Sequence, residues 1–330
     1  MPRILFLTHP EGDYGGDLLY RGLVNVLGAD NVIEWPYKPA HHEQKTYETV
    51  KGSHPVLPDH EGFMAPHSFF DIVTDAPIWT LDDLAEMSFD AVITESSRKG
   101  IWAAFAALVA RGVQLKNIGI TDSEDAAHFP SLGKSLRGMD VRRVFIKEAH
   151  SYKQWGTIPI LPLPFSCGWG DLCAPGDPTD PNRSGAYFQC SPTHPKRGIV
   201  VEALAKIPEC SIAGTHGGSP KQYCDNLQRA LLGISVRGFG MDTLRNWEIP
   251  FFGAVLVTDT TIKVPYDDFV SGEDCFRWQT VEQLVALVKN LLAKPKQELL
   301  QVAKAGQVKL LRSHTHTKRA RYVLKEMGVI

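Results

Sequence analysis

No run of about 18 consecutive apolar residues occurs among the 330 residues, so no membrane-spanning helix is expected. The apolar stretch in MPRILFLTHPEG is short and lacks a cleavage-type flank, which argues against a signal peptide. Six cysteines (Cys167, Cys173, Cys190, Cys210, Cys224 and Cys275) form no C-x-x-C pair, so neither a zinc ribbon nor a redox motif is indicated. Without an export signal they are expected to stay reduced, in the cytoplasm. Charge of one sign is not in excess either. Lys and Arg number 35 against 37 Asp and Glu, a net charge of −2 that leaves no global footprint for nucleic acid or an anionic membrane. No acidic D-x-D stands at a strand end and no helical i,i+4 histidine pair occurs, so no obligatory metal or other cofactor is expected.

What is present is ordinary globular material. Hydrophobic residues make up 43% and charged residues 22%, and the length exceeds what one core usually serves, so two domains are expected. RILFLTH (3–9), NVIEWPY (31–37), FDAVITES (89–96), KNIGITDSED (116–125) and VRRVFIKEA (141–149) read as strands. Between them DLLYRGLVNVLG (17–28) and RKGIWAAFAALVARG (98–112) read as helices, while 38–76 is a long excursion without period. Short apolar strands alternating with helices predict a parallel α/β sheet, which binds ligands beyond the carboxyl ends of its strands.

The Pro- and Gly-rich run 156–185 reads as an inter-domain connection, after which the alternation restarts. Strands are expected at 186–190, 210–214, 234–238 and 254–259, and helices at 196–208, 220–233, 242–252, 280–295 and 296–328. The expected domains are 1–160, a Rossmann-like acceptor-side domain, and 161–310, a Rossmann-like nucleotide-sugar domain. Residues 311–330 are expected to form a closing helix that packs back on the first.

The run TLRNWEIPFFGAVLVTD, after the Gly-rich VRGFG, resembles a pattern near the end of GT-B glycosyltransferases. Within them it is most similar to the group 1 branch that includes the CgeB spore-maturation-like proteins. The pattern R-x-F-E-x-x-x-x-G-x-x-L-x-x-D stands here as Arg245, Asn246, Trp247, Glu248, Gly253, Leu256 and Asp259. SHTHTKRARYVL resembles that family's closing helix through His314, Thr315, Arg319 and Ala320. The likeness covers roughly 186–325, and the N-terminal half shares the plan only. Many retaining members carry a second Glu eight residues before the first, where this chain has Gly240.

The resemblance implies a GT-B fold, two Rossmann-like α/β domains facing across a cleft and closed by C-terminal helices. It implies a glycosyltransferase that moves a hexosyl or pentosyl group from a nucleotide-sugar donor to a hydroxyl acceptor: a glycan, a lipid, a small molecule or a modified nucleobase. Donor binding is then assigned to Gly238, Gly240, Thr243, Arg245 and Glu248. Lys196 and Arg197 would meet the diphosphate, with Arg197 preferred for its bidentate geometry. A helix start near Asp242 or Thr243 would add its dipole. Gly15 and Gly16 would let a ligand approach, with Asp17 as a helix cap. The catalytic carboxylates would come from strand ends of the first domain, namely Asp122, Asp13 and Glu95, with His9, Glu124 and Asp125 beside them. Two alternatives remain: a non-catalytic binder of sugar nucleotides, and a Rossmann enzyme using NAD, which the missing Gly fingerprint disfavours.

Overall fold

The computed structural model of the chain describes residues 1–8, 13–38, 41–42, 77–97, 99–123, 138–148, 154–169, 173–214, 220–259 and 264–330. The chain forms two compact units, Met1–Phe165 with His316–Ile330, and Ser166–Thr315. Nearly all of the 38–76 excursion lies outside the described residues.

The first unit is built on β1 (Ile4–Leu7), which is buried throughout. Ile4 and Phe6 point to one face of the sheet, where they meet Leu19, Tyr20 and Leu23 of α1 (Tyr14–Leu27) and Val323 of the closing helix. Leu5 and Leu7 point to the other face. A strand covered on both sides has no polar face, which is why the run is continuously apolar. After α1 come β2 (Val32–Trp35), α2 (Leu81–Ala85), β3 (Ala91–Thr94), α3 (Lys99–Arg111), β4 (Ile118–Asp122), β5 (Val141–Ile146), β6 (Gln154–Trp155) and β7 (Ile158–Pro162). The sheet order is β2-β1-β3-β4-β5-β7-β6, parallel except for the β6–β7 hairpin. Strand β7 corrects the reading of 156–185 as connection alone: Val144 of β5 pairs with Ile160. Pro159 and Pro162 are tolerated because β7 has only the two-residue β6 on its outer side.

The second unit repeats the plan. In order it contains β8 (Ser184–Gln189), α4 (Pro195–Leu204), β9 (Cys210–Ala213), α5 (Pro220–Arg229), β10 (Ala230–Ser235), α6 (Arg245–Phe251), β11 (Val255–Thr258), β12 (Phe276–Arg277), α7 (Val281–Leu292) and α8 (Lys296–Ser313). All five strands are parallel, in the order β12-β11-β10-β8-β9. Helix α5 stops four residues before its expected end, because Ala230–Ser235 is buried along its whole length as a central strand. Gly233 faces Ile249 there, whose side chain leaves no room for a Cβ.

The expected single helix 296–328 is also two. Helix α8 ends at Ser313, and α9 (His316–Glu326) begins the return to the first unit, where it packs on α1. Buried His314 interrupts the helix: its carbonyl accepts from the Cys167 N–H at 3.1 Å, and its Nε2 donates to the Asp267 carbonyl at 2.8 Å.

Arg183, 1% exposed, holds the irregular segments of the second unit together. Its guanidinium donates to the carbonyls of Asp177 (2.8 Å), Leu227 (3.2 Å), Ala230 (2.9 Å) and Phe252 (2.5 Å). Two of these carbonyls close the end of α5, where no intrahelical donor remains. Gly253, at φ 76°, must be glycine beside it: a Cβ there would lie 2.6 Å from Arg183 Nη2. Arg183→Leu should lower the unfolding free energy by about 3 kcal/mol or more, the cost of stranding several buried carbonyls. Urea denaturation checks this; a loss under about 1 kcal/mol would mean that water replaces the guanidinium.

Candidate functional site

In the second sheet β8 is flanked by β9 and β10, so the chain reverses direction across the sheet between β8 and β10. In open α/β sheets such a reversal is where ligands bind, in a crevice at the carboxyl ends of the two strands. Arg197 is buried between the two loops that follow these strands. It donates to the carbonyls of Val236 (3.0 Å), Arg237 (3.0 Å) and Ser191 (3.0 Å) and to Thr193 Oγ1 (2.7 Å). Its donors therefore serve the two loops. Gly238 closes over it, with Arg197 Nη2 3.1 Å and Thr193 Oγ1 3.2 Å from where a Cβ would sit. Lys196 is partly exposed; its Nζ meets Asp259 Oδ2 at 2.7 Å and lies 4.3 Å above the Trp278 ring. The other Asp259 oxygen accepts from the Arg237 N–H at 2.9 Å.

Helix α6 starts at Arg245, later than expected, after Leu244 with no side-chain cap. The N–H groups of Asn246, Trp247 and Glu248 already donate to the carbonyls of Thr243 and Leu244. These three N–H groups are thus already bonded within the chain. Asp242 accepts from the Trp247 indole at 3.1 Å, and Thr243 bonds Ser235 at 2.9 Å, so both are buried in the loop. Gly240 is buried, whereas Phe239 is 69% exposed.

Glu248 is buried in the first turn of α6. Its two oxygens accept from the Trp169 indole N–H at 2.9 Å and the Tyr223 hydroxyl at 2.5 Å. Burial, and then Glu248 itself, hold the Tyr223 phenol well above its usual range, so it remains a donor. Arg245 is left with a buried Nε–H that has no partner among the described residues.

In the first unit the chain reverses between β1 and β3. Asp13 caps α1, accepting from the Gly16 N–H at 3.0 Å and from the Ser123 hydroxyl. Its other oxygen, Oδ2, is buried without a partner among the described residues. Gly15 and Gly16 are glycines because Ser123 Cβ and Glu95 Cγ would lie 2.6 and 2.1 Å from their added Cβ atoms. Asp122 is buried at the end of β4, and His9, Glu124 and Asp125 lie outside the described residues.

Glu95 belongs to a buried ionic cluster that sequence reading missed. Asp17, expected as a cap, accepts from Lys38 Nζ at 2.7 Å and His41 Nε2 at 2.8 Å. Lys38 also binds Glu95, and His41 Nδ1 binds Glu34. His42 reaches the second Glu34 oxygen at 2.5 Å. The Tyr20 ring stacks on His41 and the Tyr37 ring on His42, with centroids 4.5 and 4.4 Å apart. With a carboxylate at each nitrogen, His41 is an imidazolium. Burial opposes that charge, but Glu34 and Asp17 outweigh burial and raise its pKa to about 9. Glu34 is lowered to about 2, burial again being outweighed, here by His42 and His41. Glu95, fully buried, is pushed well up by burial, against the pull of Lys38. Asp17, His41 and Glu95 could each offer a ligand atom to one metal ion. The Lys38 ammonium already bridges two of the three.

Residues 197–325 match a family model described as glycosyl transferase-like. No curated protein matches in sequence. Solved structures align over the whole length. Anabaena HepE in complex with UDP has a TM-score of 0.59 at 12% identity, covering 99% of this chain and 100% of its own. Sucrose-phosphate synthase from Thermosynechococcus elongatus has a TM-score of 0.59 at 12% identity, with 98% of each chain covered. An alpha-glucosyltransferase in complex with UDP and a DNA containing an HMU base has a TM-score of 0.58 at 10% identity, with 99% of each covered. The chain shares the two-unit α/β fold of these proteins.

The residues expected to bind the donor, Lys196, Gly238, Gly240, Thr243, Arg245 and Glu248, gather beyond the strands of one sheet, and Arg197 lies beneath them. The two donors to Glu248 were missed: Trp169 lies in the supposed connection and Tyr223 on a helix read only for its period. In the other unit, the adjacent His41 and His42 were the one available signal of the ionic cluster. Folding favours the charged form of His41, so its contribution is complete below about pH 6.5 and is lost as pH rises through about 9. The melting temperature of the wild type should therefore fall between pH 6.5 and 9.5 by roughly 3 °C more than that of His41→Gln. Differential scanning calorimetry across that range checks it; parallel pH profiles would count against a charged His41.

Proposed function

We propose that the second unit binds a UDP-sugar through Arg245 and Glu248, and that the enzyme transfers a hexosyl group to a hydroxyl acceptor. The observation that carries this is Arg245, a guanidinium at the carboxyl end of the parallel strands whose buried Nε–H has no protein partner among the described residues. A diphosphate would supply the missing acceptor and the opposite charge. Lys196, already placed by Asp259, would add a second cation as the leaving diphosphate gains charge. Each Glu248 oxygen has a lone pair beyond the one used by Trp169 or Tyr223, available to a donor hydroxyl. UDP in the HepE and alpha-glucosyltransferase structures supports the choice of nucleotide. The finer likeness to the CgeB branch rests on the Arg245–Asp259 pattern and on the closing helix with His314, Thr315, Arg319 and Ala320.

Asp13 is the carboxylate we assign to the acceptor proton, since one oxygen fixes α1 and the other is unpartnered among the described residues. The acceptor oxygen bonds to the sugar carbon, the bond from that carbon to the diphosphate breaks, and the acceptor proton passes to a general base. Glu95 would serve structurally, because its carboxyl is committed to Lys38. The acceptor class extends from glycans to a modified base, the latter supported by the HMU-containing DNA of one similar structure. A chain that binds donor without consuming it would favour the non-catalytic alternative.

A thermal-shift panel of UDP, GDP, CDP, ADP and dTDP, with NAD as control, tests the donor assignment. UDP at about 100 times its Kd should stabilise the wild type by about 2.7 kcal/mol and have little effect on Arg245→Ala. Stabilisation by NAD alone, or equally in both proteins, would sink it. Asp13→Asn keeps an N-cap side chain, so the helix and the UDP shift should survive while turnover falls at least about 100-fold. Turnover within about threefold of wild type would remove Asp13 from the chemistry.

A further inference from the structure

We propose that Cys173 and Cys224 form a reversible disulfide that controls the two donors holding Glu248. This rests on the donor assignment made for Glu248 above. Among the described residues their sulfurs are 3.6 Å apart, both within the second unit. That is van der Waals approach for two thiols, and a bond of about 2.05 Å needs only a small further movement.

The two cysteines are each tied to one of the groups that bind Glu248. The Cys173 N–H donates to the Trp169 carbonyl at 2.8 Å, and Trp169 Nε1 donates to Glu248. Cys224 directly follows Tyr223 on α5, and the Tyr223 hydroxyl donates to the other Glu248 oxygen. The rings of Trp169 and Tyr223 are themselves neighbours, with centroids 6.2 Å apart. A bond between the sulfurs therefore closes a covalent loop behind the carboxylate. Drawing the sulfurs together shifts Trp169 and Tyr223 from the positions in which both hydrogen bonds to Glu248 are made. The reduced enzyme is the donor-binding form.

The chemistry balances with a disulfide oxidant such as glutathione disulfide. Cys173, the partly exposed member, attacks one glutathione sulfur as its thiolate and expels the other glutathione as a thiolate, which takes up the released proton. Cys224, the buried member, then attacks the Cys173 sulfur and expels the second glutathione. Two protein thiols are oxidised and one glutathione disulfide is reduced to two thiols. Burial, and then the neighbouring Cys173, hold the Cys224 thiol well above its usual range, so this second step is slow. The exchange is therefore run to completion at pH 8.5.

The test treats the full chain with glutathione disulfide, maps the cross-linked peptides by mass spectrometry, and measures UDP affinity before oxidation, after it, and after reduction with dithiothreitol. Intact mass should fall by about 2 Da with a Cys173–Cys224 peptide as the main product. Cys173→Ser should abolish that product and bind UDP as the reduced wild type does. Oxidation should weaken UDP binding at least about fivefold in the wild type, reversibly, and leave Cys173→Ser unchanged. Absence of the linked peptide, or a mixture of pairings with the other four cysteines, overturns the proposed bond. A linked protein with unchanged UDP affinity overturns its control of Glu248. If the reduced protein binds no UDP, the donor assignment has failed, and the peptide map still decides whether the bond forms.

Discussion

Backbone carbonyls in the loops beyond a parallel sheet have no ladder donor, and in the second unit Arg197 supplies one to each of two loops. By bonding Ser191 and Thr193 after β8 and Val236 and Arg237 after β10, it sets the separation of the two loops. Everything assigned to the donor is referenced to that separation. Gly238 rests on the guanidinium, the Arg237 N–H points to Asp259, and Asp259 in turn orients Lys196. Arginine fits this role because its planar fork reaches several carbonyls at once, which a lysine cannot do. Arg183 performs the same service behind the sheet, so two buried cations hold irregular chain that has no regular hydrogen bonding of its own.

The first unit solves a related problem with opposite charges. Three carboxylates converge here, Asp17 from α1, Glu34 from β2 and Glu95 just after β3, and burial alone would drive them to protonate. Lys38 and the two histidines, arriving from the segment after β2, neutralise most of that charge. The cluster thereby fastens the start of the 38–76 excursion to the sheet and packs α1 against β3. Asp13 stands one turn away from it, at the start of the same helix.

Much of the fold was legible because the responsible signals are local. Fully apolar runs such as Ile4–Leu7 declare strands covered on both faces, and Thr280 with Gln283 declares the start of α7. Boundaries failed where a tertiary contact decided them. Leu231 and Leu232 satisfy a helical period as well as a strand, and only central placement in the sheet makes them β10. His314 carries no helix-breaking signal; its carbonyl and ring are claimed by Cys167 and Asp267, and the helix ends there.

The candidate site divides in the same way. Sequence alone determined that Arg245, Glu248 and Asp259 fall at helix and strand ends of one α/β unit, since spacing along the chain and period suffice for that. The roles of neighbouring residues were decided by tertiary structure. Lys196 and Arg197 are adjacent and equally basic, yet one is partly exposed and the other buried with its donors bonded to loop carbonyls. Glu248 is three residues from Arg245 but bonds Trp169 and Tyr223, 79 and 25 residues away in the chain. The physical reason is that charge and hydrogen-bonding capacity belong to a residue type, whereas burial and the partner that satisfies that capacity belong to the fold.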